Sequence, residues 1–439
     1  MEPRKVILIG AAGRDFHNFN TVFRDNPDYR VAAFTATQIP SIDDRMYPPE
    51  LAGKLYPEGI NIEPMDELEE LIQRLEVDVC YFSYSDISYD NLGQLGSRVQ
   101  LAGAEFAFLP PLATMIKSSK PVISVVAVRT GCGKSQTTRY LAAILKKIGL
   151  RAAVVRHPMP YGNLVEQRVQ KFETLDDLKQ HNCTIEEIEE YEPHINEGNI
   201  VFAGVDYADI LREAEASADV VLWDGGNNDA TFFQSDLMIT VTDPHRAGDE
   251  LRYYPSEFNL RAADVIVVNK VSTAEPKKVE TLLSNIRSRN AAAEVVMCDS
   301  PVSVLEPEAI RGKRALLVED GPTVTHGEMN IGAAYIAAIQ FGAARIVDPR
   351  PSARGSIAEA YRKYPHLTQV LPALGYFPEQ LKELEDTIAA VDCDVVVVGT
   401  PIDLTRIVKI PQKAVRVKYQ LEEKSPGQLE KAVRKVVGA

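Results

Sequence analysis

Val122-Ile123-Ser124-Val125-Val126-Ala127-Val128-Arg129-Thr130-Gly131-Cys132-Gly133-Lys134-Ser135 is the stretch that decides the fold. Its first seven residues are a near-continuous apolar run, the pattern of a strand covered on both faces of a parallel sheet. A Gly-rich turn follows. Then comes a helix with Leu141, Ile144, Leu145 and Ile148 on one face, closed by Gly149. Strand, glycine loop and helix in this order make a phosphate cradle. Glycines let backbone N–H groups curl around the oxygens, and the helix N-terminus adds its positive end. The expected nucleotide contacts are Thr130, Gly131, Cys132, Gly133, Lys134, Ser135 and Gln136. Lys134 is expected to reach the β- and γ-phosphates as a catalytic cation, and the Ser135 hydroxyl to hold Mg2+. Cys132 reads as a small residue whose amide matters more than its thiol.

Downstream, Asp219-Val220-Val221-Leu222-Trp223-Asp224-Gly225-Gly226 is a buried strand ending in a carboxylate. At that tip Asp224 is expected to be catalytic and to ligate Mg2+. Val267-Val268-Asn269-Lys270-Val271-Ser272 resembles the base-reading N-K-x-D motif, with Ser272 where the guanine-binding aspartate would stand. ATP is therefore the expected nucleotide, with Asn269 at the adenine. Arg156-His157-Pro158 follows the Ala152–Val155 strand, at a sheet tip where ligands gather, and suits a phosphate or carboxylate. In Glu319-Asp320-Gly321-Pro322-Thr323-Val324-Thr325-His326-Gly327, Glu319 is expected to bind metal and His326 an anion. The acidic run Glu186–Glu192 reads as a solvated helix face.

Upstream lies a second α/β unit. The strand Lys5–Ile9 runs into the turn Gly10–His17, and a second strand covers Arg30–Thr35. Leu68, Leu71, Ile72 and Leu75 mark an amphipathic helix over 66–76, and Val77–Phe82 is the next strand. Arg14, His17 and Asn18 offer anion-binding donors beside a helix start. The full G-x-G-x-x-G is absent, so a dinucleotide is not indicated. Prolines and serines cluster between 108 and 121, which places a domain boundary near residue 120. The strands of the second segment run on to Ala315–Val318, and one more apolar strand lies at Asp394–Gly399.

Composition excludes several classes. The chain has 439 residues, with 48 Lys+Arg against 62 Asp+Glu, a net charge of −14. That acidity argues against a nucleic-acid partner. Hydrophobic residues make up 45% and charged ones 25%, the balance of a folded soluble chain and not a disordered one. No apolar run approaches the roughly 18 residues a membrane span needs, and no apolar leader precedes the first strand. Five scattered cysteines without a CxxC pair suggest neither disulfides nor zinc. A cytoplasmic protein without membrane partners is expected.

The loop Arg129–Ser135 resembles the K-G-G-x-G-K-[ST] variant of the MinD and dethiobiotin synthetase relatives, with Arg129 in place of the signature lysine. That resemblance implies Arg129 as a catalytic cation on phosphate, in several relatives reached across a dimer. The strings Gly10-Ala11-Ala12-Gly13-Arg14-Asp15-Phe16-His17-Asn18-Phe19, Thr130–Gln136, Arg156-His157-Pro158 and Val318-Glu319-Asp320-Gly321-Pro322 together resemble the cyclic 2,3-diphosphoglycerate synthetases, over nearly the whole chain. What this implies is an α/β chain with a Rossmann-like domain over 1–120. A MinD-like P-loop NTPase domain over 121–439 follows and includes a C-terminal α/β extension. It also implies a homodimer that uses ATP and Mg2+ to close a phosphoanhydride in 2,3-diphosphoglycerate, or to activate a related small anionic phosphorylated substrate. Arg14, His17, Asn18, Arg156, His157 and His326 would hold that anion. A nucleotide-hydrolysing switch or metallochaperone is the alternative.

Overall fold

A computed structural model of the protein describes residues 2–10, 13–36, 45–159, 161–325, 327–375 and 378–438. Val122–Ala127 is buried at every position and lies inside a nine-stranded sheet. The order across that sheet is Val169–Phe172, Ile200–Gly204, Ala152–Arg156, Val220–Asp224, Val122–Ala127, Leu237–Thr242, Val265–Val268, Glu294–Asp299 and Glu422–Glu423. Only the two edge strands run antiparallel. Both faces are covered, which is why the inner strands are apolar throughout. On one face the helix Lys134–Lys147 packs with the C-terminal helix Gln428–Val437, where Leu141 and Leu145 share a core with Leu429 and Val433. On the other, the helix Tyr207–Ser217 packs with Trp223, Phe232 and Phe233.

The N-terminal segment forms its own six-stranded Rossmann-like sheet, ordered Met46–Tyr47, Ile60–Pro64, Tyr29–Ala36, Arg4–Ile9, Val79–Phe82 and Glu105–Phe108. All its pairings are parallel except that of Met46–Tyr47. It docks on the second sheet through a short helix, Arg14–Asn18, that is buried along its whole length. Arg14 Nε pairs with Asp229 Oδ1 at 2.6 Å, and its Nη2 donates to the Ala230 carbonyl at 2.5 Å. The His17 ring stacks on Phe232 at 4.0 Å, with Nε2 donating to the Thr114 carbonyl at 2.8 Å. Asn18 Nδ2 donates to Ser83 Oγ at 3.0 Å. Arg14, His17 and Asn18 were expected at an anion. Arg14 and His17 instead join the two sheets, and Asn18 bonds within the first, because the helix that carries them is buried along its whole length.

A third sheet runs Val302–Val304, Lys413–Tyr419, Val395–Val398, Arg314–Asp320 and Arg345–Ile346, with Leu371–Ala373 also pairing Arg314–Asp320. Ala315–Val318 therefore leaves the sheet in which its apolar pattern had placed it. An apolar strand announces burial but not its neighbour. His326 lies outside the described residues, as do Ala11 and Ala12. Among the described residues no helix is long and apolar enough to cross a membrane.

Arg14→Ala would strand Asp229 in a dry interface. It is expected to cost about 3 kcal/mol in urea unfolding, while leaving substrate KM unchanged. Burial first, and then Arg14, lower the His17 pKa from 6.5 to about 3. The folded state thus keeps His17 neutral while the unfolded chain protonates it. Its contribution is complete above pH 6.5 and is lost by about 1.4 kcal/mol per pH unit as pH falls below that value. Unfolding curves at pH 7 and pH 5 should show this component in the wild type and not in His17→Phe.

Candidate functional site

The turn after Val122–Ala127 is held from outside. Gly131 and Gly133 adopt φ of 84° and 107°, the left-handed region that favours glycine. At Gly133 a Cβ would collide with the amide groups of Asn269 and Gln136. Three successive carbonyls of the turn each receive a side-chain donor. Arg246 donates to Thr130 O, Lys270 Nζ to Gly131 O at 2.7 Å, and Asn269 Nδ2 to Cys132 O at 2.9 Å. Lys270 is itself anchored by Asp243 at 2.7 Å. Asn269, expected at the adenine, is thus a strut of the loop. The Cys132 side chain points into the core behind the turn, where burial raises its thiol pKa.

Charge is balanced tightly behind the loop. Lys134 Nζ donates to Asp224 Oδ1 at 3.1 Å. Arg156, fully buried, bridges Asp224 and Glu190. His194 Nε2 lies 3.3 Å from Asp224 Oδ2, and beside a carboxylate that nitrogen must be the donor. Burial opposes ionisation of Asp224, but Arg156, Lys134 and His194 together hold its carboxyl well below the usual range. Arg156 is therefore paired inside the protein, fully buried and behind the cavity lining. The half-buried His157 ring packs over Gly226, and among the described residues its Nδ1 has no hydrogen-bond partner. Burial, then Arg156 and Lys134, hold it well below its usual pKa, so it is neutral.

Arg129 meets three carboxylates of its own chain: Asp86 at 2.7 Å, and Asp249 and Glu328 at 3.2 Å each. Its guanidinium also lies 3.5 Å from the centroid of the Tyr253 ring. Asp86 comes from the N-terminal domain, with φ of 63°, and also accepts the Thr130 hydroxyl at 2.7 Å. The expected phosphate cation is thus a clamp between the two domains and the loop.

A cavity of about 570 Å³ opens in front of the turn. One wall is the loop, with Lys134, Ser135 and Gln136; the other comes from the third sheet and from the helix Ile185–Asn196. The acidic run on that helix is not a solvated face. Glu187, Glu189 and Glu192 are buried, and Glu186, Glu189 and Glu190 line the cavity. The helix starts on a Thr184/Glu187 capping box and lies across the sheet tips, turning carboxylates inward. Glu190 Oε2 sits 3.4 Å from Ser135 Oγ. Glu319, expected on a metal, instead accepts the backbone N–H groups of Gly332, Ala334 and Tyr335 at 2.8–3.1 Å. It seats the helix Ala333–Gln340 at the cavity edge, and burial raises its pKa to about 7. Asp320 also lines the cavity; burial pushes it up to about 6.

Of the expected residues, Thr130, Gly131, Gly133, Lys134, Ser135, Gln136, Arg129, His157 and Glu319 reach this cavity. Sequence reasoning missed Glu189, His194, Lys270 and Asp86. Only the T-x-x-E start of the acidic helix was a local signal that this run is ordered.

No family model matches the sequence. The arginine synthetase ArcE of Thermococcus kodakarensis is 57% identical over 422 residues, covering 96% of this chain and 94% of that protein. The cyclic 2,3-diphosphoglycerate synthetase of Thermococcus sibiricus is 22% identical over 245 residues, 51% of this chain and 55% of that protein. The likeness to the second is thus real but distant and partial, and the first spans nearly everything. Among solved structures, LpxK from Aquifex aeolicus in complex with ATP superposes on 74% of this chain and 90% of its own, at 14% identity and a TM-score of 0.46.

Asn269→Ala leaves the Cys132 carbonyl without its donor. Nucleotide affinity is expected to fall about tenfold, the worth of one buried hydrogen bond. Because the loop and not the base is what Asn269 holds, ATP and inorganic triphosphate should lose affinity alike in a competition titration.

Proposed function

The chain belongs to the family of the arginine synthetase ArcE, and from that premise we propose that it uses ATP and Mg2+ to complete the guanidinium group of arginine. It is a ligase-type enzyme with a P-loop nucleotide site. The observation that carries the finer reading is the wall opposite the loop, which presents Glu186, Glu189, Glu190 and Asp320. A bis-phosphate such as 2,3-diphosphoglycerate would need free cations there. Arg14 and His17 lie at the domain interface, and Arg156 is held by Asp224 and Glu190. Carboxylates suit a substrate that ends in N–H donors.

Guanidinium formation from a ureido side chain needs its oxygen made into a leaving group. The ureido oxygen attacks the γ-phosphorus of ATP and the bond to ADP breaks. A neutral nitrogen nucleophile then adds to the activated carbon, and the C–O bond breaks to release inorganic phosphate. The product keeps the positive charge, so protons balance. The loop orients the triphosphate, and Lys134 moves from Asp224 toward developing charge on the transferred group. Mg2+ would be held by the Ser135 hydroxyl with Glu190 and Asp224, oxygen donors of the kind it takes, and would neutralise phosphate charge when bound. Glu190 is the carboxylate adjacent to Ser135, whereas Asp224 is already engaged by Lys134, Arg156 and His194.

The test uses a ureido amino acid labelled with ¹⁸O at the ureido oxygen, with ATP, Mg2+ and ammonium. Arginine should form, and the label should leave in inorganic phosphate. Label in AMP, or a ring anhydride from 2,3-diphosphoglycerate with no arginine, would sink the reading. Lys134→Ala should lower kcat by roughly 10³-fold, as for loss of a group stabilising transition-state charge, without unfolding the protein.

A further inference from the structure

One carboxylate of the acidic wall differs from the others in its pairing. Glu189 is 5% exposed and lines the cavity, yet among the described residues its Oε1 has no hydrogen-bond partner. Its charged neighbours are Asp320, Glu186 and Glu190, all carboxylates. A buried acid in such surroundings is costly unless something pairs with it.

The nearby groups are already engaged. Glu186 accepts the Tyr161 hydroxyl at 2.6 Å, Asp320 accepts the Thr323 amide at 3.2 Å, and Glu190 holds Arg156. The cations of the loop are spoken for as well: Lys134 by Asp224, Lys270 by Asp243, Arg129 by Asp86. What is left on this wall is the Glu189 carboxylate, one residue from the carboxylate that faces Ser135, while Arg139, another cation of the lining, leans toward Glu197 at 3.9 Å. One carboxylate with neighbours already engaged makes a poor metal site. It makes a good partner for a planar group with parallel N–H bonds.

We propose that Glu189 is the specificity-determining residue for the guanidinium end of arginine, receiving its N–H groups within the field of Glu186 and Asp320. This rests on the arginine-forming reading above. Glu189 lines the same cavity as the phosphate loop, so a group it holds shares that cavity with the nucleotide. The pairing is worth most when positive charge has formed, which favours the guanidinium over the uncharged ureido group it replaces.

The experiment is calorimetric titration of the full chain, saturated with ADP and Mg2+, with arginine and separately with the ureido amino acid. In Glu189→Gln, arginine affinity is expected to fall about 30-fold or more, the cost of removing one member of a buried charge pair. Affinity for the uncharged ureido compound should change by less than about threefold, a hydrogen-bond-sized effect at most. ADP affinity, measured in the same preparation, reports that the variant is folded. Equal losses for both ligands would mean a merely structural role, and no loss for arginine would mean the wrong residue; either overturns the assignment. If the wild type binds ADP but not arginine, the arginine-forming reading itself fails and takes this assignment with it. Should Glu189→Gln not fold, Glu189→Asp keeps the charge one methylene further back, and the same ratio of affinities decides.

Discussion

A turn that offers its amides to an anion must dispose of its carbonyls elsewhere, and that constraint organises this protein. Thr130, Gly131 and Cys132 cannot pair their carbonyls within so tight a curl. The donors come from Arg246, Lys270 and Asn269, more than a hundred residues downstream. Each is delivered by the tip of a neighbouring strand of the same parallel sheet or by the segment just beyond it. The sheet order is therefore what shapes the loop. Moving the Leu237–Thr242 or Val265–Val268 strand by one place would leave buried carbonyls unpaired.

The second organising feature is the neutralisation of charge inside the protein. Arg156, Lys134 and His194 converge on Asp224, and Arg129 is surrounded by acids from the first domain and the second. A naive count of basic residues near the loop suggests an anion trap. Pairing reverses that conclusion, because a guanidinium between two carboxylates presents no net field to a ligand. The carboxylates of the cavity lie mainly on the helix Ile185–Asn196, which meets the phosphate cradle where Glu190 approaches Ser135. On the proposed reading the site has two poles: backbone amides and Lys134 for the triphosphate, and carboxylates for a nitrogen-rich partner.

The three sheets divide the work accordingly. The second carries the loop. The third closes the cavity with Asp320 and the helix that Glu319 seats. Among the described residues the first lends the cavity no lining and steadies the loop instead. Its Asp86 grips Arg129 and Thr130, and its buried helix carries Arg14 and His17 into the second sheet. Residues that look catalytic by type can serve as fasteners when the element bearing them is enclosed by protein.

Local physics was legible in the residues themselves. The apolar run Val122–Val128, the glycines at 131 and 133 and the face of the following helix required a covered parallel strand and a phosphate turn. Each of those signals is complete within a few positions. The same is true of Lys134 and Ser135 at the helix start. Tertiary structure alone decided that Ala315–Val318 joins a third sheet, that Asn269 braces a carbonyl, that Arg156 is consumed by Asp224 and Glu190, and that an acidic run turns inward. Those outcomes depend on which strand tips meet across a hundred or more residues. Side-chain charge and hydropathy say what a residue needs, but not who arrives to supply it.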